Sequence, residues 1–313
     1  MKAVRNIHER DIEAPAEAVG ALLDRLATDD DPLFPTPGWP PMRFDRPLGP
    51  GADGGHGPIT YRVVSYEPGR RIRFDFTDAA GGFHELTIAP LGEAADPGAG
   101  RCRVRHELVM ASPSLTDRLG WALVIRWAHD VVIEELLDNA ERAATGRVCA
   151  PYRRSPWARL VHRMLFPRPE ATELPASAVL ARQAFPEPDF ADAWRLELRP
   201  GMPRHPRAWR KVLPFPVLAQ EGGELLLGED SRHGDFRASL LVEGDYVTLS
   251  TVARTRTALG RAYFGVVRHI HPYAARWVLR RMARRLALTA PSAGERHGTT
   301  PATNSKVPGP TSV

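Results

Sequence analysis

The sequence predicts an α+β chain of two domains, each a curved antiparallel sheet closed by a C-terminal helix. Two observations carry the prediction. Residues 59–110 hold four short runs rich in β-branched and aromatic residues, separated by turn signals and followed by helical periodicity from Ser114 to about Ala144. A second, shorter round of strands between about 187 and 255 again runs into a helical region, from about Ala258. Both closing segments open with Leu-Gly and carry a histidine ten positions on, LGWALVIRWAH ending at His129 and LGRAYFGVVRH ending at His269.

In chain order, residues 3–12 read as a strand ending before Pro15, and PAEAVGALLDRLA as a helix with Val19, Leu22, Leu23 and Leu26 on one face. Residues 28–58, rich in Pro, Gly and Asp, read as a loop. ITYRVVSY, RRIRFDFT, GFHELTIAPL and GRCRVRHELVM then form an antiparallel meander. In the helix after it, Leu119, Leu123, Val124, Trp127, Val131, Ile133 and Leu137 make an apolar stripe, and Asp130, Glu134, Asp138 and Glu141 a polar one. Residues 147–186 read as a Pro/Arg-rich linker with one short helix from Pro156 to Phe166. In the second domain, 187–289, DFADAWRLEL, GELLLGED, FRASLLVEG and DYVTLSTVARTR read as strands and HPRAWRKVL as a short helix. The closing helix is expected to break at Pro272. Residues 290–313 lack the apolar content to fold and are expected to be disordered.

Charge divides between the halves. Residues 1–150 carry 17 Lys plus Arg against 23 Asp plus Glu, and residues 151–313 carry 25 against 14, so an acidic half precedes a basic one and the two can attract. Two cysteines cannot build a disulfide framework, no signal peptide precedes the polar start MKAVRNIHERD, and no apolar run reaches membrane-spanning length. A cytoplasmic location is expected.

A bent sheet and its terminal helix leave space between them, and alternate strand positions line it. The candidate ligand-binding residues are therefore Tyr61, Phe74, Phe76, His84, Val104, His106, Leu108, Trp121, Leu123 and Trp127. His84, His106 and Tyr61 are the candidates for proton transfer, the first two because they share the inward parity of their strands. In the second half, Asp230, His233, Asp235 and Arg237 form a polar cluster, and Arg276, Trp277, Arg280 and Arg284 a basic aromatic helix. Nine arginines and no acidic residue lie between Tyr246 and Gly294. That helix suits a solvated face, an anionic membrane surface or the acidic first half.

Three word-level matches carry no chemistry. GPGADG at 49–54 has the letters of a dinucleotide loop but no strand before it or helix after it. HEL at 84–86 and 106–108 lacks the second histidine of a zinc helix, with Ile88 and Met110 in its place. No base-reading motif accompanies the arginines, so nucleic acid is not an expected partner. Neither metal nor cofactor is implied, and the oligomeric state is left open.

The opening strand, APAEAVGALLDRL and YRVVSYEPGRRIRFDF, followed by the meander and long helix, resemble the helix-grip superfamily of START domains, pollen-allergen proteins and bacterial polyketide cyclases, often called SRPBCC, over residues 1–146. That resemblance implies a cavity for a hydrophobic or amphipathic small molecule such as a lipid, polyketide or aromatic, in a carrier or a cyclase-type enzyme. LLLGEDSRHGDFRASLLVEGDYVTLSTVARTRTALGRAYFG resembles a bacterial domain of unknown function, DUF2867, over about 187–289. Where that family usually has Asn before Leu-Gly-Arg and Pro-Phe-His before the last helix, this chain has Ala258 and His269-Ile270-His271.

Overall fold

The computed structural model describes residues 3–77, 81–92 and 100–291. The expected disordered tail lies outside the described residues, except Ala290 and Pro291. Among the described residues the chain forms two antiparallel sheets, each closed by a long helix. The first has the strand order β1-β7-β6-β5-β4-β3-β2, with β1 Val4–Ile12, β2 Arg43–Phe44, β3 Asp53–His56, β4 Ile59–Glu67, β5 Arg71–Phe76, β6 Gly82–Leu91 and β7 Arg101–Met110. Period-2 alternation decides which residues point in. On β7, Cys102, Val104, His106 and Leu108 are buried, while outward-facing Arg101 pairs with Glu13, and Arg103 with Glu9 and Asp11, in solvent.

Three helices belong to this sheet. The first is α1, Ala16–Leu23. Another is α2, Leu115–Gly120, capped by Ser114 and Asp117 in a reciprocal box and running through a π-helical turn, Trp121–Ile125. The third is α3, Arg126–Thr145. Ile12, Leu23, Val63, Ile72, Val104, Leu136 and Leu137 form the core between sheet and helices. The polar stripe of α3 is not a solvated face. Asn6, His8 and Arg10 on edge strand β1 point at it: Asn6 donates to Asp130 at 3.0 Å, His8 meets Asp130 at 3.1 Å and Glu134 at 2.7 Å, and Arg10 donates to Glu134, Asp138 and Glu141 at 2.8–3.2 Å.

The loop expected over 28–58 contains β2 and β3. Its composition opposes strands, but the free edge of β4 recruits backbone pairing. Gly54 suits the close approach, because a Cβ there would stand 2.1 Å from the Arg43 carbonyl oxygen.

Helix α4, Pro156–Leu165, falls where the short helix is expected. Ala158 joins the first core and Phe166, just past its end, joins the second. The rest of the stretch read as a linker holds β8, Glu170–Thr172, paired with the second sheet, and α5, Val179–Ala184. The second sheet has the order β10-β11-β12-β13-β9-β8, with β9 Phe190–Glu197, β10 Val217–Glu221, β11 Glu224–Asp230, β12 Gly234–Glu243 and β13 Tyr246–Thr255. A short α6, Pro206–Trp209, seats Trp209 in its core beside Leu225, Leu240, Leu279 and Met282. The expected break at Pro272 is corrected: α7 runs unbroken from Ala258 to Thr289 with Pro272 inside it. Proline removes one N–H, whose acceptor four residues back belongs to exposed Arg268, where water replaces the bond at little cost.

Candidate ligand cavity

Sheet register aligns the inward side chains in rows. Phe74, His84 and Leu108 sit side by side on β5, β6 and β7, and Ile72, Leu86, His106 and His8 form the adjacent row, ending on β1. Tyr61 on β4 pairs with Phe76. Helix α3 closes over these rows but does not fill the concavity, leaving a cavity of about 320 Å³. The loop before β2 supplies Phe34, Trp39 and Met42, and α4 supplies His162 and Leu165. Arg199 of the second domain also reaches the wall, donating to the carbonyls of Pro37 and Gly38 at 3.0 and 2.8 Å.

Of the ten predicted ligand-binding residues, Tyr61, Phe74, Phe76, His84, His106, Leu108 and Trp121 line the cavity. Val104 has the inward parity but lies deeper along β7, inside the solid core. Leu123 is 57% exposed, and Trp127, whose indole N–H donates to the Ala122 carbonyl, is also outside the wall. The π-helical turn sets the phase there, so Ile125 and Ala128 face inward in their stead, beside Trp121. His129 was not among the predicted site residues, yet it lines the wall, with its ring centroid 5.0 Å from that of His106 and 5.6 Å from that of Trp121. Its one sequence signal was the Leu-Gly register. His56, from β3, was hidden in the apparent loop.

The chemistry of the wall lies in polar atoms that the protein leaves open. His106 Nε2 is 3.4 Å from His84 Nδ1, so one ring donates and the other accepts. The opposite nitrogens, His84 Nε2 and His106 Nδ1, have no hydrogen-bond partner among the described residues; neither do His129 Nε2, the Tyr61 hydroxyl or the Trp39 indole N–H, while His129 Nδ1 stands 3.8 Å from Asp130 Oδ1, beyond hydrogen-bonding distance. Burial pushes the pKa values of His84 and His106 well below the ordinary imidazole range, with neighbouring histidines adding to the effect; burial also lowers His129, and takes His56 down to about 4. Burial raises Tyr61. These rings are therefore neutral at pH 7, each able to donate and accept. Beside them, His8, His129 and Asp130 place donor atoms within 4.8 Å of one another, a spacing a metal ion could bridge, but His8 is already engaged by two carboxylates. Burial opposes charging of His8, and its bonds to Asp130 and Glu134 outweigh it, raising the pKa to about 9.

The second-domain cluster divides. Asp230 pairs with Arg237 at 2.7 Å, and buried Asp235 accepts from Arg256 at 2.6 Å and from Arg254 at 3.4 Å. His233 meets the Thr257 hydroxyl at 3.1 Å, next to Asp235 in a second cavity. On α7, Arg280 is spent on the backbone carbonyls of Arg163, Met164 and Pro167, at 2.7–3.2 Å, and Phe166. Arg276 lies 5.2 Å over the Trp194 ring. Burial lowers Arg284, and Trp277 remains 53% exposed with Arg281 5.0 Å over its ring. No helix among the described residues is long and apolar enough to cross a membrane.

Comparison with curated proteins gives no match. Among solved structures, norcoclaurine synthase from Thalictrum flavum is similar at 12% identity and a TM-score of 0.34, over 46% of this chain and 94% of that one. CalU16 from Micromonospora echinospora is similar at 16% identity and a TM-score of 0.32, over 52% and 83%. The di-domain ARO/CYC BexL aligns over 90% of this chain and 98% of its own, at 13% identity and a TM-score of 0.32. Residues 192–278 match the model of the family described as "Protein of unknown function (DUF2867)", the family that the second half resembles in its sequence.

Proposed function

We propose that the first domain binds a hydrophobic or amphipathic small molecule, a lipid, polyketide or aromatic compound carrying at least one oxygen, in the cavity between its sheet and α3. The observation that carries this reading is the combination of an apolar wall with open polar atoms on Tyr61, His84, His106 and His129. A buried donor or acceptor without a partner costs about 1–3 kcal/mol, and a ligand oxygen placed against it recovers that cost. Native mass spectrometry of the protein after incubation with a panel of lipids, polyketides and aromatics should show one retained class. An Ala128→Trp variant, which fills the cavity from α3, should lose it; retention of nothing by the wild type, or undiminished retention by A128W, counts against the proposal.

A second reading makes the same cavity the site of a cyclase-type reaction. It is favoured by the pairing of neutral His84 and His106 beside Tyr61, which gives a proton acceptor and a proton donor in one apolar space. A His106→Ala variant should then bind the retained compound and lose its conversion. Conversion at the wild-type rate removes this reading and leaves binding intact.

A further inference from the structure

The second sheet and the first half of α7 enclose another cavity, of about 830 Å³, within the range of small-molecule sites. It is separate from the first, and its wall is aromatic: Phe190, Phe215, Phe236, Tyr263 and Phe264 come from a strand, a loop, a second strand and the helix. Polar groups stand at two places. At one, they are satisfied within the protein, Asp235 by Arg254 and Arg256, Ser231 by the Gly234 carbonyl and His233 by Thr257. At the other they are not. His271 on α7 meets Asp192 Oδ2 on β9 at 2.9 Å, and Trp194 donates its indole N–H to the same oxygen at 3.0 Å. A carboxylate only accepts, so Nδ1 of His271 carries the proton in this contact; that tautomer leaves a lone pair on Nε2, which has no partner among the described residues. Buried Asp192 Oδ1 is likewise unpartnered.

We infer that the second domain has its own ligand site, for an aromatic molecule bearing a phenolic or enolic hydroxyl, with His271 accepting that hydroxyl's hydrogen bond and Asp192 holding the imidazole in the required tautomer. The rings give such a molecule edge and face contacts over its whole body. Of the two histidines before Pro272, His269 is exposed and His271 lines the cavity. Asp192 is a positioning residue, acting through His271.

Equilibrium dialysis of the full chain against 2-naphthol, with 2-methylnaphthalene as the analogue lacking the hydroxyl, tests the site. Val267 lines the cavity from α7, and a Val267→Trp variant should bind one equivalent of 2-naphthol fewer than the wild type, whatever the first cavity takes up. His271→Ala should keep the stoichiometry, weaken that equivalent by about fivefold to tenfold, the worth of one hydrogen bond, and leave 2-methylnaphthalene unaltered. Asp192→Asn should weaken 2-naphthol in the same direction with unchanged helical circular dichroism. Undiminished stoichiometry in V267W, equal weakening of both probes by H271A, or no 2-naphthol binding by the wild type overturns the inference.

Discussion

His8 shows how one residue links the edge strand, the long helix and the pH response. Its side chain is 11% exposed and held between Asp130 and Glu134, which raises its pKa from 6.5 to about 9 despite burial. A group whose folded pKa lies above its unfolded one contributes its full stabilisation below pH 6.5 and loses it as pH climbs through 9. From the size of the shift, and allowing for partial solvent screening, the contribution is on the order of 2–3 kcal/mol. Buried His56 and His84, with lowered values, act with the opposite sign: their contribution is present above 6.5 and is lost as pH falls below it. Urea denaturation from pH 5 to 10 should therefore show maximal stability near neutrality, with a fall toward pH 9 that a His8→Gln variant flattens. An unchanged alkaline limb in H8Q would contradict this account. The parity of His84 and His106 on their strands was legible in the sequence, because β alternation is local. The role of His8 was not: nothing along the chain tells that residues 8 and 134 face each other across a strand edge.

At the scale of elements, the repeated Leu-Gly at the head of each closing segment has two different causes. A Cβ on Gly120 would meet only the tip of Ile125, 3.9 Å away, whereas one on Gly260 would stand 2.0 Å from the carbonyl oxygen of His233. Helix α7 therefore starts hard against the turn before β12, and Thr257, its cap, bonds both Gly260 and His233. An alanine in place of a helical glycine ordinarily stabilises by about 1 kcal/mol. Here we expect Gly260→Ala to destabilise by about 2 kcal/mol, as overpacking does, read as a lower urea midpoint at unchanged slope; Gly120→Ala should be neutral or stabilising. Helix existence and strand order were readable from periodicity, which depends on near neighbours. The π-helical turn, the unbroken passage of α7 through Pro272 and strands β2, β3, β8 and β10 were not: β8 requires the edge of β9, and β2, β3 and β10 are short strands held by pairing with a neighbouring strand rather than by a pattern of their own.

At the scale of the molecule, the two halves meet through arginine and carbonyl groups. Arg199 donates to Pro37 and Gly38 while lying 4.9 Å over the Phe166 ring, and His162 donates to the same Gly38 carbonyl at 2.9 Å. Arg280 holds the end of α4 in the same manner. The acidic half and basic half thus join by specific backbone acceptors as well as by opposite net charge, and the wall of the first cavity is completed from the second domain. We expect Arg199→Ala to weaken this contact by about 2–3 kcal/mol, the scale of hydrogen bonds to a charged donor, and to speed amide hydrogen exchange at residues 36–39. Unchanged exchange there would show that Arg199 does not hold the domains together.

By itself the sequence determined the fold class, the repetition of sheet and closing helix, and the apolar and histidine-bearing faces of the first sheet, since these follow from periods of two and 3.6 residues along the chain. Only the tertiary structure decided that Ile125, Ala128 and His129 rather than Leu123 and Trp127 face the first cavity, that the acidic stripe of α3 is answered by β1, and that His271, on the wall of a second cavity, meets Asp192. Those outcomes depend on helical phase at a π-turn and on contacts between residues some 80 to 130 apart in the chain, and local pattern carries no record of either.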